Sequence, residues 1–226
     1  MQVDITAIWG KRLDRHVLRE VQARKPDLVL KTTHQRNPLK RLLLSAADWQ
    51  LIRYCEVPLW LVKHGENPLK QLCASVDPLH SADKPAALDN KLIACGHELG
   101  QQLNAQLHLA HCYTPLPRTM VFDASVIADY EGYAKDVKQH HATAFSQLVA
   151  RSPADGAATH LLEGAPEEAL LGFVEEQKID LLIMGAVSRS RLESALLGHT
   201  AERLIDATPC DLLILKPDGF VDPSKP

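Results

Sequence analysis

DLLIMGAVSRSRLESALLGHTAERLIDATPCDLLILK occupies residues 180–216, and DLVLKTTHQRNPLKRLLLSAADWQLIRYCEVPLWLVK occupies residues 27–63. The two stretches align without a gap at an offset of 153 residues, and each begins with aspartate and ends with lysine. Solenoid repeats have periods of about 20–50 residues, so this much longer offset indicates duplication of a whole domain.

The sequence around the second copy predicts strands alternating with helices. The predicted strands are Leu69–Val76, Gln106–Tyr113, Ala158–Glu163, Asp180–Met184 and Asp211–Lys216. Apolar residues recur at helical spacing between each pair of strands, and the segment LLIM within the fourth strand is typical of a strand buried on both faces. This order predicts an α/β fold with a doubly wound parallel five-stranded sheet.

The N-terminal part of the chain matches only the end of the same plan. Val3–Trp9 alternates apolar and polar residues and corresponds to the third strand, and a helix follows it. Leu28–Lys31 and Leu59–Lys63 correspond to the last two strands. We therefore expect one complete domain at residues 68–217, a partial copy at residues 1–64, and a tail at residues 218–226.

The partial copy lacks counterparts of the first two strand–helix units. Three strands alone would leave unpaired edges and uncovered apolar faces. Two hypotheses account for this. In the preferred one the chain is a fragment of a longer tandem protein, with Met1 an internal methionine; in the other, the partial copy relies on a partner.

Composition and charge exclude several classes of protein. The net charge of −3 does not favour nucleic acid as a partner. No apolar run approaches the roughly 18 residues that a membrane span needs. The five cysteines are scattered and form no CxxC pair. Reduced, buried thiols in a cytoplasmic protein are therefore expected.

A glycine-containing loop follows the fourth strand of the complete domain. Gly185, Ser188, Gly198 and His199 stand at the positions of the universal stress protein signature, which is Gly-x-x-Gly, nine residues, then Gly-Ser or Gly-Thr. The chain resembles this family, since the spacing is kept although two of the four identities differ. Thr200 lies beside the fourth position.

The resemblance implies a candidate binding site. In the ATP-binding branch of the family this loop wraps the phosphates and ribose, and an aspartate after the first strand recognises adenine. Glycines and a helix start allow backbone N–H groups to approach phosphate closely. The resemblance therefore implies an adenine nucleotide, without a metal, at the matching positions Asp77, Gly185 and Gly198. Ser188 and His199 depart from the signature, but Ser188 can still hydrogen-bond phosphate and Thr200 can replace the hydroxyl that His199 lacks. Arg189 flanks the loop and is a further candidate to pair with the phosphates.

A simpler interpretation of the same loop also stands. Gly185 and Gly198 would then only permit a tight turn and a helix start. Arg189 and Arg191 either pair with an anion or are solvated. At the four corresponding positions the first copy has Thr32, Gln35, Ser45 and Ala46, with no glycine, so no phosphate site is expected there. Ser45 is instead predicted to cap a helix.

Other chemistry-bearing residues give weaker indications. His108 and His111 are three apart on one strand and so face opposite sides of the sheet, which argues against a shared metal. The Thr114–Asp129 loop carries apolar side chains. These either cover a pocket for an apolar ligand or pack on a neighbouring domain. No established catalytic motif is found.

The family resemblance implies a cytoplasmic stress-response protein that binds a small molecule, an adenine nucleotide or an apolar ligand, without clear catalysis. Two alternatives are an ATP-binding switch with slow hydrolysis and a protein-interaction scaffold. The family also pairs domains through the last strand. We expect Leu59–Lys63 and Asp211–Lys216 to meet in this way, within one chain or in a homodimer.

Overall fold

A computed structural model gives the fold for residues 3–33, 44–63, 68–79, 87–117, 128–186 and 199–220. The strands are β1 (Val29–Thr32), β2 (Leu59–Val62), β3 (Gln71–Ser75), β4 (Gln106–Tyr113), β5 (Ala158–Glu163), β6 (Leu181–Gly185) and β7 (Asp211–Leu215). The helices are α1 (Leu13–Arg24), α2 (Ala46–Tyr54), α3 (Ala87–Leu103), α4 (Tyr130–Ala150), α5 (Pro166–Glu176) and α6 (His199–Ala207).

All of these strands belong to one seven-stranded sheet in the order β1-β2-β7-β6-β3-β4-β5. The five strands from β3 to β7 are parallel to one another. This confirms the predicted α/β class and the parallel five-stranded arrangement. The chain leaves β3 for β4 on one side and later returns to β6 on the other, which is the doubly wound pattern.

The two repeated stretches meet at an antiparallel seam between β2 and β7. Leu59 lies opposite Ile214, and Leu61 opposite Leu212. The Asp211 carboxylate accepts hydrogen bonds from the Trp60 indole N–H at 3.1 Å and from the Lys63 backbone N–H at 2.7 Å. The expected pairing through the last strands is therefore confirmed, and it occurs within one chain.

Helices cover the sheet in two layers because alternate strand residues face opposite sides. On one side, Leu182 and Ile214 pack with buried residues of α2, α5 and α6. On the other side, Leu181 and Ile183 pack with buried residues of α3 and α4. Strands such as β6 are buried on both faces, as their continuous apolar sequence indicates.

The secondary structure repeats with the sequence. Helix α2 covers Ala46–Tyr54 and helix α6 covers His199–Ala207, so their bounds differ by the 153 residues of the repeat. Each helix lies between two parallel strands, β1 and β2 or β6 and β7. The internal repeat is thus one structural unit, strand–helix–strand, present twice.

The predicted strand at Val3–Trp9 is wrong. Residues 3–10 adopt no regular secondary structure, and Trp9 is fully exposed. Its counterpart β5 is held by hydrogen bonds to β4. Among the described residues of the N-terminal part no strand corresponds to β4, so alternation of apolar residues alone does not produce a strand here.

The expected uncovered apolar face is present on β1. Leu28 and Leu30 are 40% and 60% exposed, whereas their repeat counterparts Leu181 and Ile183 are both 0% exposed. Leu181 and Ile183 lie in the cluster that includes α3 residues. The partial copy has no counterpart of α3, so the same apolar positions face solvent. Across the described ranges, no helix is long and apolar enough to cross a membrane.

Candidate functional site

The candidate site lies where β3 and β6 end side by side. Ser75 is the register partner of Met184, so Asp77 and the residues after Gly185 leave the sheet at the same edge. The chain connection reverses between these two strands, and ligands of open α/β sheets bind outside the carboxyl ends at this point. Two residues to which the family resemblance assigns ligand contacts, Asp77 and Gly185, therefore lie at the same edge of the sheet.

Asp77 is exposed, and the peptide group before it is fixed on both sides. Its backbone N–H donates to the Asp89 carboxylate at 3.0 Å. The carbonyl of Val76 lies 3.1 Å from Nδ1 of the buried His111 ring. The Val76 N–H donates to the Ala110 carbonyl on β4 at 3.0 Å. These contacts fix the orientation of the Val76–Asp77 peptide group at the end of β3.

Asp89 supplies the anchor on the N–H side. It lies in the first turn of α3 and is 5% exposed. A carboxylate at a helix N-terminus is favoured by the partial positive charge of that end. The sequence analysis missed Asp89. An acidic residue in the first helical turn was the available signal, but that signal does not reveal a partner on another element.

Gly185 is explained by packing as well as by its place in the signature. A Cβ atom built on Gly185 would lie 2.6 Å from Cδ2 of Leu88 in α3. The α3 helix therefore approaches the end of β6 so closely that only glycine fits without a shift. This packing is a different reason for glycine from the tight turn that the simpler interpretation proposed, since Gly185 lies at the end of β6.

Lys216 fixes the point where the chain leaves β6. Its ammonium group is buried and donates to the Ala186 carbonyl at 2.9 Å. The same nitrogen lies 4.8 Å from the centroid of the Phe220 ring. Burial lowers the pKa of the Lys216 amine to about 8. Lys91 of α3 donates to the Lys216 carbonyl at 3.1 Å. The sequence analysis noted Lys216 only as the end of the repeat.

Several predicted residues lie outside the described part of the chain. These are Ser188, Arg189, Arg191 and Gly198 in the loop, together with Gln35 in the first copy. His199 and Thr200 form the start of α6, but their side chains are not described. Only residues 114–117 and 128–129 of the predicted pocket-covering loop are described, and Leu116 there is 53% exposed.

The first copy has a helix cap where the second has Gly198. Ser45 caps α2: its hydroxyl accepts from the Asp48 backbone N–H at 3.2 Å, and Asp48 accepts from the Ser45 backbone N–H at 2.7 Å. This capping box confirms the predicted role of Ser45. Lys31 also forms an ion pair with the buried Asp48.

The histidines of β4 lie on opposite faces of the sheet, as predicted. Each of them also contacts one histidine of another element. His108 Nδ1 lies 3.0 Å from His160 Nε2, and His111 Nε2 lies 2.8 Å from His141 Nδ1. Burial lowers the pKa of all four imidazoles. Within the described segments, no group of three or more potential ligands is arranged to hold a metal.

Comparison with known proteins decides the family. The sequence profile of the universal stress protein family matches residues 2–63 and 80–216. The chain belongs to the universal stress protein family. This membership covers both repeated stretches and places the protein among proteins of the stress response.

Curated relatives of this universal stress protein carry the name universal stress protein E. The protein from Salmonella typhi is 32% identical over 98% of this chain and 70% of its own length. The protein from Photorhabdus laumondii is 30% identical over 100% of this chain and 72% of its own length. The similarity therefore extends through both copies of the repeat.

Solved structures share the fold of this universal stress protein. A functionally unknown protein from Pseudomonas aeruginosa PAO1 superposes with a TM-score of 0.75 at 22% identity, covering 94% of this chain and 70% of that one. A universal stress protein from Archaeoglobus fulgidus gives a TM-score of 0.56 at 16% identity, covering 90% and 66%. At these identities the likeness establishes the fold alone.

Proposed function

We propose that this universal stress protein acts by binding a small molecule, an adenine nucleotide, at the edge where β3 and β6 end. One observation carries the proposal: Asp77 and Gly185 come from segments far apart in sequence and meet at the point where ligands bind in open α/β sheets. The fixed Val76–Asp77 peptide supports it, because a main chain that is already ordered loses little freedom when a ligand binds.

Calorimetric titration with ATP tests this proposal. We expect heat at millimolar ATP for the unaltered chain, and about tenfold weaker binding for Asp77→Ala, equivalent to ~1.4 kcal/mol. Asp155→Ala is the matched control, because Asp155 is also exposed but precedes β5 at the opposite end of the sheet. Absence of heat, or equal weakening by both substitutions, would reject the nucleotide site.

The proposed activity is binding rather than turnover. The alternative, an ATP-binding switch with slow hydrolysis, predicts phosphate release that depends on Asp77. Incubation with ATP and a colorimetric phosphate assay separates the two, since binding without hydrolysis leaves the phosphate level at that of a protein-free control. Release that disappears in Asp77→Ala would favour the switch.

We further propose that the chain divides into a partial domain at residues 1–64, a ligand-binding domain at residues 68–217, and a tail at residues 218–226. The shared strand–helix–strand unit supports this division.

The proposed location is the cytoplasm, a reducing compartment. All five cysteines are free, and burial raises the pKa of Cys210 to about 12, which keeps that thiol protonated and unreactive.

A scaffold is the second candidate function, and the exposed face of β1 favours it. Leu28 and Leu30 are exposed, and within the described strands β1 pairs only with β2. We propose that a second copy of this chain pairs with the β1 edge, since two free edges can pair with each other.

Light scattering should show a concentration-dependent dimer that Leu30→Lys weakens. A monomer at all concentrations would reject this function.

A further inference from the structure

The His111–His141 pair stands directly behind the peptide group that precedes Asp77. His111 is 1% exposed and lies on β4, with its ring close to the end of β3 and to α4. One ring nitrogen contacts the Val76 carbonyl and the other contacts His141. The ring thus connects α4 to the end of β3, where the candidate binding side chain leaves the sheet.

The contacts determine where the hydrogens lie. A carbonyl oxygen only accepts hydrogen bonds, so His111 Nδ1 must carry the hydrogen that points to Val76. In the neutral ring Nε2 is then an acceptor, and the hydrogen between the rings belongs to His141 Nδ1. His141 therefore fixes the tautomer of His111 that donates to Val76, as hydrogen-bond partners commonly do for histidine.

The neutral pair can take up one additional proton without losing its hydrogen bonds, but it cannot take up two. A proton on His141 Nε2 leaves the hydrogen bond between the rings intact. A second proton, on His111 Nε2, places two N–H groups against each other at an N···N distance of 2.8 Å with no acceptor between them. One ring must then move, and the support behind Val76 changes with it.

Charged and titratable groups surround the pair from every element packed against it. Burial lowers the pKa of both imidazoles, and the Asp77 carboxylate opposes this shift in part. His140 lies beside His141 on α4, and it lowers the pKa of His141. Tyr113 of β4 lies near His141 and donates to the Glu163 carboxylate of β5. Asp89 of α3 holds the other side of the Val76–Asp77 peptide.

We propose that His111 and His141 are a positioning pair for the candidate site. They set the direction in which Asp77 leaves β3, and this support is lost when both rings are positively charged imidazolium ions. The inference rests on the proposed function for its importance. Its physical content, however, concerns the ligand-free chain and can be tested without any ligand.

Nuclear magnetic resonance of the ligand-free chain provides that test. The Asp77 amide should shift as the pH falls from about 8 to about 5, with the same midpoint as the His111 ring protons. In His111→Asn this part of the shift should vanish, because the asparagine amide keeps a donor near the Nδ1 position but does not titrate. His111→Leu, which has no donor, should displace the Asp77 amide at every pH.

His108→Asn is the matched control. It removes a paired histidine of the same strand on the opposite face and should leave the Asp77 amide unchanged. The proposal is overturned if the wild-type Asp77 amide does not follow the His111 titration, or if His111→Asn behaves like His111→Leu. The first outcome can be read even if the leucine variant fails to fold.

ATP titration of the same variants separates this inference from the proposed function. If ATP binds, His111→Leu should weaken it several-fold, and His111→Asn should restore it near pH 8. Equal weakening by the two substitutions would argue against positioning. If wild-type protein binds no ATP, the nucleotide site is rejected, and the amide titration alone decides whether the pair positions Asp77.

Discussion

At the scale of single residues, Gly185 shows how a signature and a packing requirement coincide. The signature predicts a glycine for close approach of a phosphate. The structure supplies a second reason, since Leu88 of α3 occupies the space that a side chain would need. In this chain the packing of Leu88 therefore favours glycine at position 185 whether or not a nucleotide binds.

Substitution at this position tests the packing explanation. Gly185→Ala should destabilise the protein by about 1–3 kcal/mol, because its Cβ would overlap Leu88. Leu88→Ala alone should cost about 2–5 kcal/mol, since Leu88 is buried. In the double variant the alanine gains room, so urea unfolding should show a loss smaller than the sum. Additive losses would contradict the packing explanation.

The residues around Asp77 mark the limit of prediction from sequence. Asp77 and Gly185 could be proposed as site residues because the family resemblance assigns ligand contacts to their positions. Asp89, His111 and Lys216 could not, because each contacts a main-chain atom on another element. Such contacts depend on how α3, β4 and β7 pack together, and no local pattern in the sequence encodes that geometry.

At the scale of elements, strand prediction succeeded where neighbouring strands are present. β4 and β5 have the predicted bounds, and each lies beside a parallel partner. Val3–Trp9 has the same alternation as an exposed strand but no partner, and it forms no strand. Backbone groups need hydrogen-bond partners, so the alternation alone is not sufficient for a strand.

The seam between β2 and β7 yields a prediction at this scale. Asp211→Ala removes the acceptor of the Trp60 indole and of the buried Lys63 amide, and it should cost about 1–3 kcal/mol. Asp211→Asn keeps one side-chain oxygen as an acceptor and should cost less. Urea denaturation measures both. Wild-type stability for Asp211→Ala would show that this carboxylate does not hold the seam.

At the scale of the whole molecule, the buried histidines predict a loss of stability in acid. Burial lowers the pKa of His108, His111, His141 and His160 in the folded chain. The unfolded chain, with histidine pKa values near 6.5, therefore takes up protons first as the pH falls. The contribution of these histidines to the free energy of unfolding should be constant above about pH 7 and should decrease below it.

Thermal unfolding at about pH 7.5 and about pH 5.5 measures this effect. The double variant His108→Asn, His111→Asn should lose less stability on acidification than the wild type does. His97→Asn is the control, because His97 makes one exposed contact, with Gln101. If the double variant and the wild type lose equal stability, groups other than these histidines cause the acid sensitivity.

The antiparallel seam also has a consequence for synthesis on the ribosome. Leu59 leaves the ribosome early, but its partner across the seam is Ile214. At typical elongation rates of about 5–20 residues per second, the intervening chain takes roughly 10–30 s to make. During that interval β2 has no neighbour on its seam side, so its apolar residues are open to chaperones. β2 is therefore synthesised well before the strand that completes its seam side.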